Sequence, residues 1–390
     1  MAKILLPFIC ILSLVVCASE VDISVPGFPE MSHYFGVNDG TIQLTIAYNF
    51  IGFCLASLFY GPLSEAFGRR PIMIIGNTLL LIGSIACVIS PNIPFLLCAR
   101  FVQGIGASTS AVLVFAIIAD VYQGKQSIKI ISIMNAVLTI IITIAPIVGG
   151  FITEIVGWRG NYGIVAIIAC LSWGSIILKL PETITSCRTV ILKPVVKDYV
   201  KLFTDGKFLC VSIIPSILYA CYLTFITAAP FLYQDTFKMT LRLYVAHQGI
   251  IVFSFAIISI FAPKITSNLG SHFVTILGLS LTFVGGLAMW LSVSISANTP
   301  NFITFTMTIF SIGFALCYPV IFSSSLEIFP EIKGTASSAI MSMRALICSA
   351  LISISGYFYN DHIFSIGLLI FIGSCIGVIL YAIWKKFLRH

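Results

Sequence analysis

Residues 61–71 read Gly-Pro-Leu-Ser-Glu-Ala-Phe-Gly-Arg-Arg-Pro, a short polar stretch between two long apolar runs. A helix that crosses the hydrocarbon core of a bilayer needs roughly 20 apolar residues, and each neighbouring run has this length. Twelve such runs follow one another, at about 4–26, 42–62, 72–90, 95–119, 131–153, 161–180, 209–229, 245–263, 273–293, 301–326, 335–357 and 363–384. The pattern therefore predicts twelve transmembrane helices.

The composition supports the same class. Hydrophobic residues make up 59% of the 390 residues and charged residues 9%, against about 25% charged in a soluble domain. So few charges cannot cover a soluble surface, which excludes a soluble enzyme, a disordered chain and a soluble nucleic-acid binder. The net charge of +7 comes from residues spread along the connections, whereas DNA binding needs a basic face. We expect an all-α integral membrane protein that contacts lipid and no nucleic acid.

The first run also resembles a signal peptide, because Met1–Glu20 has a lysine, an apolar run and small residues at Cys17–Ser19. We expect a retained helix, since the run continues to Pro26 and its removal would leave eleven spans. With the N-terminus in the cytoplasm, 16 of the 21 lysines and arginines face the cytoplasm and three face outward. The positive-inside rule then predicts that both termini are cytoplasmic.

The longest and most charged connection covers residues 181–208 and divides the spans into six and six. We expect an N-terminal six-helix bundle over 1–180 and a C-terminal one over 209–390, joined by this cytoplasmic linker. Val195–Phe203 has helical spacing with lysines on one face, which favours a helix on the membrane surface. Paired six-span halves are typical of transporters that alternate access around a midplane site; a channel or a membrane-embedded enzyme would leave the halves unexplained.

A faint internal repeat supports this division. Ala262-Pro263 and Gly270 follow the eighth span much as Gly61-Pro62 and Gly68 follow the second span, with one extra residue.

The stretch at 61–71 carries the first candidate functional residues. Glycine allows tight turns and close helix approach, and an acid with two arginines suits ion pairs and helix-end contacts that stabilise one conformation. A plain positively charged loop would explain Arg69 and Arg70, but not Gly61, Glu65 and Gly68 at this spacing.

Five segments together resemble the major facilitator superfamily over the whole chain. The stretch at 61–71 resembles its loop motif between helices two and three, where the family usually has Asp in place of Glu65. Arg100–Gly104 resembles the buried-arginine motif of its fourth helix, and Ala145–Gly150 the motif of its antiporters. Asp22-Ile-Ser-Val-Pro-Gly-Phe-Pro, together with Gly334-Thr-Ala-Ser-Ser, resembles the bicyclomycin-resistance drug-efflux subfamily. The resemblance implies a cytoplasmic gate in which Asp120, at the end of the fourth span, pairs with Arg69 or Arg70.

Arg100 is a charged residue inside a predicted span. It lies about five residues from the outer end, where an arginine can reach the interface along its own aliphatic stem. Otherwise it faces the bundle and pairs with an acid or with carbonyl groups, because a lone arginine in hydrocarbon costs at least about 2.5–3.5 kcal/mol. Gln103 lies at i+3 on the same face. The family resemblance implies a role for Arg100 in proton relay.

Two acids lie in the first span. Glu20 and Asp22 are about 200° apart around a helix, so they cannot share one face, and an acid inside a span is by default a candidate functional group. Asp22 matches the subfamily motif and is the expected proton carrier, with Arg100 nearby, and Glu20 is the second candidate for proton coupling. One of the two acids is expected to face the cavity and the other the lipid boundary. The alternative is an interfacial acid that caps the turn before Pro26.

The fifth span contains Pro146 followed by Gly149 and Gly150. Proline removes a helical hydrogen bond, and glycine lets helices approach closely. Generic packing explains any one of the three, but together they favour a deliberate bend, which by resemblance is a hinge or seal of antiport.

Arg344 lies about ten residues into the eleventh span and requires a buried partner or a water-filled cavity. With Gln103, Tyr48 and Tyr222 it is a candidate for the substrate cavity.

The sequence lacks a phosphate-binding loop and a nucleophile elbow, and its 12 cysteines and scattered histidines show no zinc-ligand spacing. We expect no enzyme, cofactor or metal, but a monomeric, proton-coupled exporter of small apolar or drug-like compounds in a bacterial inner membrane. The alternatives are an importer or exporter of a specific metabolite and a non-transporting receptor or assembly factor on the same fold.

Overall fold

The computed structural model describes residues 2–184, 192–292, 299–359 and 363–389, and almost all of them are helical. The α-helices are Ala2–Asp22 (α1), Phe28–Phe35 (α2), Asp39–Phe67 (α3), Arg69–Val88 (α4), Ile93–Val121 (α5), Gly124–Val156 (α6), Trp158–Lys179 (α7), Leu192–Thr204 (α8), Gly206–Pro230 (α9), Leu241–Leu269 (α10), Ser271–Leu291 (α11), Pro300–Glu327 (α12), Lys333–Phe358 (α13) and Ile363–Arg389 (α14). Short turns at Val25–Gly27 and Pro330–Ile332 are 3₁₀-helical, and Phe231–Thr236 is a π-helical turn.

The prediction of twelve spans is confirmed. Across the described ranges, twelve helical segments of 20 to 31 residues are long and apolar enough to cross a membrane. Large apolar side chains such as Phe59, Ile155 and Leu178 lie on their outer surfaces, as expected where lipid is the solvent. The chain is a multi-pass membrane protein with the predicted all-α architecture.

The connection at 61–71 differs from the expected loop. α3 continues to Phe67, so Gly68 alone separates α3 from α4. Gly68 has φ +99°, a conformation that residues with a Cβ rarely adopt. Gly61 lies inside α3, where an added Cβ would meet no atom within 4 Å. The turn therefore forms at one glycine only, and the expectation of a turn or close approach at Gly61 is wrong.

The internal repeat is present in the structure. α3 and α10 both have 29 residues, and each contains a proline near its end, Pro62 and Pro263. α10 ends at Gly270, whose φ of +83° parallels that of Gly68. The same helix–glycine–helix connection is thus built twice.

Contacts divide the chain into two compact units. The first unit consists of Met1–Gly27 and Tyr48–Lys197, and the second of Phe28–Ala47 and Asp198–His390. The core of the first unit includes Leu6 and Ile9 of α1, Met73 of α4 and Ile117 of α5.

The core of the second unit includes a smaller cluster in which Leu202 of α8 packs with Phe208, Phe329 and Ala339. The helical structure of α8 agrees with the spacing at 195–203. Lys201, on the surface of α8, forms an exposed ion pair with Glu331, with 2.8 Å between Nζ and Oε1. Residues 185–191 of the linker lie outside the described residues.

The division differs from the expected one at residues 28–47, which belong to the second unit. The reason is packing that the apolar pattern does not encode. The ring of Phe28 lies 6.1 Å from that of Phe231, and Gly40 of α3 lies directly against the backbone of Gly356 of α13.

Candidate functional site

Arg100 lies in the first unit, on α5, a helix that begins after Asn92, whose side chain accepts a hydrogen bond from the Phe95 N–H. The Arg100 side chain is fully buried. Its Nη1 donates to Glu20 Oε2 at 2.8 Å and to the Glu20 carbonyl oxygen at 3.2 Å. The alternative in which Arg100 reaches out to the membrane surface is therefore wrong, and the expected pairing with an acid is confirmed.

A polar network surrounds this ion pair. Asn49 of α3 donates from Nδ2 to Glu20 Oε2 at 3.1 Å and to the Arg100 carbonyl oxygen at 3.3 Å. Gln103 accepts from Arg100 Nη1 at 2.7 Å and donates to Ser84 Oγ of α4 at 3.0 Å. Four helices of the first unit thus meet at one buried charge pair, and Gln103, on the same face as Arg100, is hydrogen-bonded to it.

The guanidinium of Arg100 has N–H groups that donate no hydrogen bond to the described residues. Arg100 Nε and Nη2 are buried without a hydrogen-bond partner in the described part of the chain, and the guanidinium carbon lies 5.6 Å from the centre of the Tyr162 ring. Aromatic faces attract cations but replace hydrogen bonds only partly. Glu20 therefore provides most of the compensation for the buried positive charge of Arg100.

The two acids of the first span lie in different surroundings. Glu20 is 1% exposed and faces Arg100, whereas Asp22 is half-buried and makes no hydrogen bond or ion pair with the described residues. α1 ends at Asp22, and the angle of about 200° between the two residues turns Asp22 away once Glu20 faces α5. The expectation that Asp22 lies beside Arg100 is wrong, because Glu20 takes that place. The prediction that the acids use different faces is confirmed.

Gly149 connects the fifth span to the segment that follows Asp22. A Cβ at Gly149 would lie 2.1 Å from the carbonyl oxygen of Ile23, a distance that only glycine accommodates. α6 therefore packs backbone to backbone against the end of α1. Pro146 lies inside α6 and Gly150 is buried beside Gly149, so the antiporter-like motif determines how closely α6 approaches the neighbour of Asp22.

We expect Gly149→Leu to abolish transport while the protein still inserts, because the side chain would force α6 away from Ile23; overpacking of this kind costs typically about 1–3 kcal/mol. Gly163→Leu in α7 is the matched control, since no atom lies within 4 Å of a Cβ there. Transport and thermal stability of both variants are measured in parallel. Normal transport by Gly149→Leu would reduce the motif to ordinary packing.

The expected gate residues meet around Arg69. Its Nε lies 3.0 Å from Asp120 Oδ2, and its Nη1 donates to Ser64 Oγ at 2.6 Å. The pairing of Asp120 with the loop motif is therefore present. Arg70 is exposed and donates from Nη2 to the Ile177 carbonyl oxygen at 2.9 Å, so the two arginines bind different neighbours.

Glu182 is a member of this cluster that the sequence analysis missed. Its carboxylate accepts the backbone N–H groups of Arg69 at 2.9 Å and Arg70 at 3.2 Å, the first two residues of α4. It also accepts those of Thr183 and Ile184. Partial burial acts to raise the pKa of Glu182, but the four backbone donors outweigh it and hold the pKa below its usual range.

Glu65 does not take the expected part in this cluster. It is exposed and forms no ion pair or hydrogen bond with described residues, so the acid that completes the helix end comes from position 182. A sequence signal existed: Gly68, which directly precedes α4, has no side chain that could cap the helix N–H groups, and such an end attracts a carboxylate.

We expect Glu182→Gln to reduce transport several-fold and Glu65→Gln to leave it near the wild-type level. A carboxylate at a helix N-terminus contributes about 0.3–1 kcal/mol. Because the folded pKa of Glu182 is lowered, its contribution is present above the unfolded pKa of about 4.3 and lost only as the pH falls through the lower folded pKa. The Glu182→Gln defect should thus be constant between pH 6 and 8. Equal effects of the two substitutions would contradict the assignment.

Arg344 lies in the second unit, on α13, with aromatic neighbours. Its Nη1 donates to the Tyr318 hydroxyl at 2.9 Å, and its guanidinium carbon lies 4.7 Å from the centre of the Tyr219 ring. Tyr222 is 6% exposed, and its ring lies 6.0 Å from that of Phe314, which also contacts Tyr219 and Tyr318.

Three of the four residues proposed for the substrate cavity divide between two sites. Arg344 and Tyr222 share one aromatic cluster, while Gln103 belongs to the Arg100 network. Tyr48 is 39% exposed.

Comparison with known proteins agrees with this architecture. Residues 10–353 match the model of the Major Facilitator Superfamily. A transporter of Rickettsia bellii is 26% identical over 89% of this chain and 88% of its own. A bicyclomycin resistance protein homolog of Haemophilus influenzae is 24% identical over 92% and 90%. The xylose transporter XylE of Escherichia coli superposes with a TM-score of 0.77 at 16% identity over 99% of this chain and 98% of its own. The chain belongs to the major facilitator superfamily of transporters.

Proposed function

We propose that the protein exports small apolar, drug-like compounds in exchange for protons across a bacterial inner membrane, with both termini in the cytoplasm. The observation that carries the proposal is the pair of differently placed carboxyl groups at the end of α1. Glu20 is fixed by Arg100, and Asp22, two residues later, has no hydrogen bond or ion pair among the described residues. Relatives named for drug resistance and the distribution of lysine and arginine support the direction and the location.

The carboxyl that exchanges the proton is Asp22. Protonation of Glu20 would remove two charge-assisted hydrogen bonds, from Arg100 Nη1 and from Asn49 Nδ2, and would leave a buried arginine uncompensated. Loss of one member of a buried ion pair costs about 3–5 kcal/mol. Asp22 has no such bond to lose, so it gains and releases a proton at lower cost. Glu20 then acts as a positioning residue that holds Arg100.

Exchange follows if drug and proton compete for the same region. A drug that binds the deprotonated form more tightly expels the proton, and by linkage the proton weakens drug binding by the same factor. The close contact between Gly149 and Ile23 gives α6 a mechanical connection to the residue next to Asp22. Movement of α6 during alternating access would thereby change the surroundings of the proton site.

The cluster of Arg69, Asp120 and Glu182 serves as the cytoplasmic gate in this proposal. Its contacts join the start of α4 to the end of α5 and to the segment after α7, so they must break if these ends separate. Ion pairs that form in one conformation and open in the other bias a two-state equilibrium.

The test is transport by the purified full-length protein in proteoliposomes with an imposed pH gradient, using bicyclomycin and a panel of apolar drugs. We expect accumulation of at least one compound that depends on the gradient and collapses with a protonophore. Accumulation that is indifferent to the gradient would contradict proton exchange. Gradient-driven movement of the drug together with the proton would contradict export.

A further inference from the structure

The second intramembrane arginine of the chain has no acidic partner. Arg344 forms no ion pair with a carboxylate of the described ranges, whereas Arg100, which lies closer to the end of its span by sequence, is paired with Glu20 at 2.8 Å. Arg344 Nη1 donates to a neutral phenol, Tyr318, and Arg344 Nε is buried with no hydrogen-bond partner among the residues that the structure describes. A buried guanidinium in this condition retains a strong preference for an anion.

The surroundings of Arg344 are aromatic on several sides. Tyr219 of α9 lies under the guanidinium at 4.7 Å, and Tyr318 of α12 supplies the hydroxyl. Behind them, Phe314 stacks with Tyr222 at 6.0 Å and with Phe255 of α10 at 5.4 Å. We call these six residues the Arg344 cluster. Flat aromatic faces favour planar apolar groups, and the half-buried state of Arg344, Tyr219 and Tyr318 leaves part of the cluster accessible.

We infer that the Arg344 cluster binds a planar aromatic compound through a carboxylate or similar anionic group. The carboxylate accepts hydrogen bonds from the guanidinium of Arg344, including the unused Nε, and from Tyr318, while the aromatic body packs against Tyr222 and Phe314. A guanidinium and a carboxylate match in shape and form strong charge-assisted bonds. This inference rests on the proposed function and narrows its substrates to aromatic anions, since Arg344 repels lipophilic cations.

Arginine is required for this recognition rather than positive charge alone. Lysine offers a compact ammonium without the planar fork, and it stacks less well on an aromatic ring. Arg344→Lys should therefore retain only part of the preference for anions, whereas Arg344→Gln should lose it.

The test is binding to the full-length protein in detergent, measured by calorimetry with a matched pair of probes. 2-Naphthoate and 2-naphthamide share one aromatic body and differ in charge. We expect the wild type to bind the naphthoate at least roughly tenfold more tightly and Arg344→Gln to bind both alike. Tyr318→Phe, which removes one hydroxyl, should weaken the naphthoate several-fold and more than the naphthamide, whose carbonyl is the weaker acceptor; this second variant guards against a folding defect in the Arg344 variant.

Equal affinity of the wild type for the two probes, or an unchanged preference in folded Arg344→Gln, would overturn the inference. Failure of the anion site and failure of the proposed function can be distinguished. If naphthoate binds selectively but no compound is exchanged for protons in proteoliposomes, proton-coupled export is wrong and the anion site stands. If neutral drugs are exchanged for protons and the naphthoate is not preferred, the anion site is wrong and proton-coupled export stands.

Discussion

Asp22→Asn should lose proton-driven export and retain drug binding. The amide keeps the size of the side chain but cannot carry a proton at any working pH, and Asp22 makes no hydrogen bond or ion pair with the described residues that the substitution would break. We expect gradient-driven accumulation in proteoliposomes to fall to the level of empty liposomes. Drug affinity should remain measurable and become nearly independent of pH between 6 and 8, because the competing proton is gone.

Glu182→Gln is the comparison for this variant, because it also neutralises one acid of the first unit. It should slow transport but keep the wild-type pH dependence of binding, since the lowered pKa of Glu182 keeps this carboxylate ionised over the same range. Asp22→Asn with full gradient-driven export would show that another carboxyl carries the proton, and Glu20 would be the next group to consider.

Glu20→Gln should have the largest effect on stability. Its carboxylate is 2.8 Å from Arg100 Nη1 and neutralises a fully buried guanidinium. Leaving that charge uncompensated should cost about 3–5 kcal/mol. We expect a lower midpoint of thermal unfolding in detergent, a large loss of folded protein and, as a consequence, weak transport. From the sequence alone, a milder effect is expected if Glu20 points away from the cavity, and its contact with Arg100 removes that condition.

The double variant Glu20→Gln/Arg100→Gln separates pairing from packing. Replacing both charges removes the uncompensated cation, so the double variant should be more stable than either single variant, as a double-mutant cycle reveals. A single Glu20→Gln variant as stable as the wild type would contradict the importance of the pair. Strictly additive losses would show that the two side chains act independently.

The spans could be predicted because the bilayer fixes their length and polarity, so each of the twelve helices carries its own local signal. The glycine turn at Gly68 and its counterpart at Gly270 were visible for a similar reason, since each is a local backbone requirement. The membership of residues 28–47 in the second unit was not visible, because it depends on contacts such as Phe28 with Phe231, some 200 residues apart.

The sequence predicts that the candidate site contains a buried arginine with a partner, but it does not predict which acid is that partner. A buried arginine needs a partner, and the helical period separates Glu20 from Asp22. Neither fact determines the rotation of α1, which decides which acid meets Arg100. Glu182 was missed because it reaches Arg69 across 113 positions. The aromatic neighbours of Arg344 come from α9, α10 and α12, and no local pattern joins them.

The most direct test of proton exchange is proton release when drug is added to the purified protein in weakly buffered detergent solution. With a compound that the wild type transports, the account predicts proton release by the wild type and none by Asp22→Asn, although that variant still binds the drug. The same release from Asp22→Asn, or no release from a wild type that binds and transports the compound, would contradict the account.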